Sequence, residues 1–180
     1  MSDTAAPFLN ITVQHQPNDN WCWLEVAAAI AQFYDPRTRW TASALADAMY
    51  AQGCYATPQL AQCNAPRHLK DALVNCTHNL REPARDDPSN CMMTAEEIRA
   101  ELKAGHPICM RVAWQTMPNG SPGHVFVVRG IHLDTNGVVI LDISDPSSGN
   151  GGVRLSDLNG AYGRNNGRVD ASYLTQPASQ

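Results

Sequence analysis

The sequence predicts an α+β fold in one domain over residues 1–180, with a mainly helical lobe (1–106) packed on an antiparallel β-sheet lobe (107–180) and the candidate chemistry between them. Three observations predict it. Apolar residues recur at helical spacing through the first half, β-branched runs fill the second half, and the runs follow the helices without alternating with them, unlike a doubly wound sheet. A length of 180 residues suits a single domain, and 43% hydrophobic against 17% charged residues supports a packed core.

The elements follow in order. After the Pro17-Asn18-Asp19-Asn20 turn, which offers helix-capping side chains, Trp23, Val26, Ala27, Ile30, Ala31 and Tyr34 mark a buried helix ending at Asp35-Pro36. Leu45, Ala48 and Met49 mark a second helix closed by Gly53, and Leu69, Ala72, Leu73 and Cys76 a third that begins after Pro66. Thr94 with Glu97 forms a capping box for a fourth, with Ile98 and Leu102 on its apolar face and its end at Gly105-His106-Pro107. Strands are expected at Ile108–Trp114, His124–His132 and Val138–Asp145, the last two joined by the hairpin signal Asp134-Thr135-Asn136-Gly137. Short extended pieces are expected at Val153–Leu155 and Val169–Leu174. No internal repeat or low-complexity tract is visible.

Composition excludes several roles. With 13 basic and 17 acidic residues the formal charge is −4, so no basic field holds a phosphate backbone, and nucleic acid is not an expected partner. The apolar stretch Val125 to Ile131 is broken by Arg129 and falls far short of the roughly 20 residues that span a bilayer, so no membrane partner is expected either. The first eight residues lack a basic and apolar leader pattern. Six cysteines at 22, 54, 63, 76, 91 and 109 contain no C-x-x-C pair, and His68 and His78 supply no regular second pair, which argues against structural zinc. Cys54 with Cys63 and Cys76 with Cys91 bracket proline-containing loops and suit two local disulfides; buried free thiols are the alternative, because connectivity does not follow from sequence.

Cys22 and Cys109 are then left unpaired, and Cys22 stands at a helix start, where unpaired N–H groups and the positive end of the helix dipole favour a thiolate. A buried inert cysteine is the plain alternative. Gln16, six residues upstream, is placed for its amide to join the Cys22 N–H in holding an oxyanion, with Gln14 as its rival. A cysteine nucleophile needs an imidazole, and His124, after Ser121-Pro122-Gly123 at the start of an apolar strand, is the candidate. His132 shares its face by alternation but lies roughly 26 Å along the strand, and His15, His68, His78 and His106 read as solvated. The hairpin returns Asp145 beside His124, where a carboxylate fixes the imidazole tautomer; Asp142, three residues earlier, falls on the opposite face.

Gln16-x5-Cys22-Trp23, Val26 to Tyr34, Cys54, Cys63-Asn64-x-Pro66, Leu69-x-x-Ala72-Leu73, Ile98-x3-Leu102-x-x-Gly105-x-Pro107, Gly123-His124-Val-Phe-Val-Val128 and Asp145-Pro146 together resemble the papain-like cysteine proteases of bacterial effector type, the avirulence-protease-like group. The resemblance extends at fold level to bacteriocin leader peptidases. It implies Cys22 as nucleophile, His124 as general base, Asp145 as its orienting acid and Gln16 in the oxyanion hole, with no cofactor and no metal. A protein or peptide is the implied substrate, and a secretion-machine component or an immunity protein a further partner. Leu24-Glu25 departs from the small residues expected after Cys-Trp; Glu25 is expected to face solvent or cap the helix, since an inward carboxylate would disfavour a thiolate. Trp21 reads equally as core or cleft. An amidase or transglutaminase-like acyl transfer on the same triad, and a catalytically silent toxin or binding module, are the competing classes. The expected setting is a bacterial effector or toxin, made in the cytoplasm and exported or translocated by a specialised system without a leader, with its bridges closing after delivery.

Overall fold

The computed structural model describes residues 6–87, 89–114, 123–163 and 166–178; Pro88 of the expected Cys76–Cys91 loop, Ser121 and Pro122 ahead of His124, and residues 1–5 lie outside them. Among the described residues four α-helices, α1 (Cys22–Tyr34), α2 (Ala42–Met49), α3 (Leu69–Asn75) and α4 (Ala95–Lys103), precede six strands, β1 (Ile108–Ala113), β2 (His124–Leu133), β3 (Val139–Asp145), β4 (Gly149–Arg154), β5 (Asn159–Tyr162) and β6 (Gly167–Leu174). The strands form one antiparallel sheet in the order β4-β3-β2-β1-β6-β5. None of these helices is long and apolar enough to cross a membrane.

Local signals place most elements. Thr94 accepts from the Glu97 N–H while Glu97 accepts from the Thr94 N–H, so the capping box opens α4 as expected. At the β2–β3 turn the Asp134 side chain accepts from the Asn136 and Val138 amides, and Gly137 takes a left-handed φ of 79°. The first helix starts differently. Its N-cap is Trp21, with no side-chain cap, because Asn18 and Asn20 turn outward to the Pro58 and Asn64 carbonyls and hold the disulfide loop instead. Strand β5 carried no sequence signal, and β4 begins at Gly149 in a glycine-rich run.

The pleat sorts the core into two layers. Cys109, Val125, Val127, Ala171 and Tyr173 face α1, α2 and α3. Met110, Val112, Phe126, Val128, Leu141 and Ile143 face the other way, against Ile98 and Leu102 of α4. Thus α4, expected in the helical lobe, crosses to the opposite face of the sheet. An irregularity between Val128 and Gly130 shifts the β2–β3 register. Such a bulge inverts the alternation beyond it, so Ile131 joins the Val128 face and His132 turns away from it. His132 therefore does not share the face of His124, and it pairs with Asp142 at 3.0 Å.

Cys54 and Cys63 are bonded, closing the loop before α3. Cys76 and Cys91 are not bonded to each other: the Cys76 thiol faces the Met49 sulfur at 3.6 Å, while that of Cys91 donates to the Val169 carbonyl at 3.6 Å. A bridge needs converging Cβ vectors, and these two sulfurs are turned toward α2 and β6. Two histidines expected in solvent have partners, His106 between Glu101 and Arg81 and His68 beside Arg111.

Candidate active site

Cys22 is the first residue of α1 and is buried. Its amide and that of Trp23 fall in the first turn, where no preceding helical carbonyl exists to accept them. The Cys22 sulfur lies 4.0 Å from the Gly123 carbonyl oxygen, which brings the helix start against the start of β2. Gly123 is required there: its φ is +64°, and a Cβ would come within 2.3 Å of the Val112 carbonyl oxygen. Only glycine lets the chain press against β1 and present His124 opposite Val112.

His124 Nε2 donates to Asp145 Oδ2 at 2.8 Å, which leaves Nδ1 on the other edge of the ring, and the nearby Cys22 side chain favours the charged imidazole. Both partners are sequestered, the imidazole side chain 11% and the Asp145 side chain 2% exposed. Burial opposes charge on His124, but the hydrogen bonds with Asp145 and Cys22 outweigh it and push the imidazole up to about 9. Burial likewise opposes the Asp145 charge, yet the His124 hydrogen bond and charge, with those of Tyr162 and Ser147, hold the carboxyl well below the usual range. Each partner of this buried pair thus favours the charged form of the other. The other His–Asp pair, His132 with Asp142, is 40% and 29% exposed and stands at the far end of the hairpin.

Several further side chains hold this pair from outside the motifs around Cys22, His124 and Asp145. Tyr162 donates its hydroxyl to Asp145 Oδ2 at 2.7 Å, and the Ser147 amide, Ser147 hydroxyl and Ser148 amide all reach Oδ1. The serines follow Asp145-Pro146 directly, so an Asx-type turn was readable there; Tyr162 on β5 offered no local signal. Trp114 stacks on the His124 ring at 6.3 Å and on Tyr162 at 6.2 Å, covering the pair from water. A cavity of about 570 Å³ opens beside these rings, walled by the glycine-rich β3–β4 segment.

Gln16 is brought to the same region, its amide N–H donating to the Pro146 carbonyl next to Asp145. Its side-chain Nε2 donates to the carbonyls of Asn18 and Asp19, in the turn that leads into Cys22, and Oε1 is buried without a partner. To reach an oxyanion, one of those N–H groups must exchange a turn carbonyl for the substrate oxygen. Gln14 lies apart, in a separate cavity with Glu25. Glu25 itself departs from expectation. It neither caps the helix nor meets solvent but is 2% exposed, because α1 runs through the core with every residue from Cys22 to Ala31 buried. Trp21 is core: it is fully buried, donates Nε1 to the Cys63 carbonyl at 2.7 Å and stacks on Tyr50 and Tyr55.

Among the described residues no group of three or more His, Cys, Asp or Glu side chains is arranged to hold a metal ion. A cysteine at a helix start, an imidazole beside it and a buried carboxylate behind, between helices and an antiparallel sheet, define an α+β fold of the papain-like class. The family model of the Peptidase_C39 like family matches residues 8–167, and the chain belongs to that family of cysteine peptidases. No curated protein matches the chain.

Proposed function

We propose that this chain is an endopeptidase that works through Cys22, His124 and Asp145 as a triad, within a single papain-like unit over residues 1–180. The observation that carries the reading is the buried His124–Asp145 pair, brought by Gly123 against the Cys22 sulfur at the head of α1. The Cys22 thiolate attacks a substrate carbonyl, and the tetrahedral oxygen is held by the Cys22 N–H and the Gln16 amide. His124 protonates the departing amine, forming the thioester, and then takes a proton from the water that hydrolyses it. Asp145 keeps the imidazole in the tautomer whose Nδ1 faces sulfur. Burial pushes the Cys109 thiol well above its ordinary range, so it is no rival nucleophile.

A delivered bacterial effector or toxin is the setting this reading favours, since the Cys54–Cys63 bond suits an oxidising compartment. Mass-mapping after thiol alkylation near neutral pH, with a peptide-library cleavage assay, tests the mechanism: Cys22 should label ahead of Cys109, and Cys22→Ala should abolish cleavage. Wild-type cleavage by Cys22→Ala would refute the assignment. Intact mass of delivered protein, with and without reductant, checks the compartment.

A further inference from the structure

A second cavity, of about 240 Å³, lies along α1 beyond Cys22 and contains a group the mechanism does not use. Its wall includes Glu25, Gln14, Gln32, Thr41, Ser43 and Tyr55. Glu25 is 2% exposed, and its Oε1 has no hydrogen-bond partner among the described residues. Among the described residues no arginine, lysine or histidine lines the space, so none of them gives the carboxyl a counter-charge within it. A buried carboxylate left in that state is costly unless a cation completes it. Burial alone accordingly pushes its pKa up to about 7.

We propose that this cavity receives the basic side chain, lysine or arginine, of a substrate residue next to the scissile bond, with Glu25 as its counter-charge. This rests on the endopeptidase reading above. Residues 22 and 25 are neighbours on one helix stripe, with Cβ atoms about 5–6 Å apart, and an extended peptide advances about 3.3 Å per residue. A peptide whose carbonyl sits on the Cys22 sulfur therefore has a side chain one or two positions away that reaches Glu25. The volume corresponds to roughly eight waters' share of liquid, room for one long side chain but not for a segment of backbone. Gln14, Gln32 and Ser43 offer oxygen acceptors for the N–H groups that Glu25 leaves over, and Tyr55, 37% exposed and stacked on Trp21, sets an aromatic face beside the stem.

The test separates the pocket from the catalysis. NMR titrations of the full chain carrying Cys22→Ala, at about pH 8 where Glu25 is ionised, would use Nα-acetyl-arginine methylamide, Nα-acetyl-lysine methylamide and the uncharged citrulline isostere. The two cationic probes should bind about tenfold more tightly than citrulline, and Glu25→Gln should reduce that preference to about unity. Ser43→Lys, which places a resident ammonium in the cavity, should also abolish probe binding, and unfolding curves confirm that both variants are folded. Equal binding of citrulline, or a charge preference that survives Glu25→Gln, would overturn the proposal. A peptide library cut by the active chain should show lysine or arginine beside the cleaved bond, and lose that bias in Glu25→Gln. Cleavage without the bias sinks the pocket and leaves the peptidase; cation binding without any cleavage sinks the peptidase and leaves a cation site that is not a substrate subsite.

Discussion

Replacing Glu25 with glutamine should make the protein more stable, and by an amount that depends on pH. The side chain is 2% exposed and its pKa is raised from 4.5 to about 7 by burial. A carboxyl whose folded pKa lies above its unfolded one holds its proton more tightly when folded. Its contribution is present in full below pH 4.5 and is lost as pH rises toward about 7. At about 1.36 kcal/mol per unit the loss is about 3 kcal/mol once Glu25 is ionised. For a chain of this size that equals roughly 10 °C in melting temperature. Paired urea or thermal unfolding of wild type and Glu25→Gln between about pH 4 and pH 8 reads the difference. The linkage from His124 and Asp145 is common to both proteins and cancels, and the unmet hydrogen bonds of the new amide displace the difference without altering its slope. The gap should open from about pH 4.5 and level off above about pH 7, and free arginine should narrow it at the alkaline end. A gap that stays flat with pH, or a variant that weakens relative to wild type as pH rises, would show that Glu25 is already paired and would refute the reasoning.

Three further outcomes are expected. Asp145→Asn should lower kcat/KM less than His124→Ala does, and the alkaline fall in activity, expected near about pH 9 in wild type, should move toward the ordinary histidine range; an unmoved limb in the pH–rate profile would exclude Asp145 as the group that holds the imidazole charged. Tyr162→Phe removes one of the hydrogen bonds to the Asp145 carboxylate and should reduce kcat on the order of tenfold and lower the melting temperature by about 5–10 °C, since a bond to a charged acceptor contributes about 1.5–3 kcal/mol. Cys54→Ser with Cys63→Ser opens a loop of sequence separation 9 and should cost about 3 kcal/mol, read as a shift in the urea midpoint.

What the sequence determined by itself was local. Helical spacing, the Thr94–Glu97 capping box and the Asp134–Gly137 turn act within a few residues, and each element formed where its own chemistry required. The candidate site was legible for the same reason. Cys22 opens a helix, Gly123 frees the backbone ahead of His124, and Asp145 opens an Asx turn with Ser147, so each side chain is aimed by its own neighbours. Tertiary structure decided what depends on distant chain. The irregularity between Val128 and Gly130 turned His132 toward Asp142 and away from the His124 face. The side of the sheet taken by α4, the separation of Cys76 from Cys91, and the stacking of Trp114 over a Tyr162–Asp145 hydrogen bond all join segments far apart in sequence. Glu25 shows the division most clearly. Its charge predicted solvent, but the packing of sheet and helices around α1 buries every residue from Cys22 to Ala31, so position 25 is enclosed whichever face of the helix it takes.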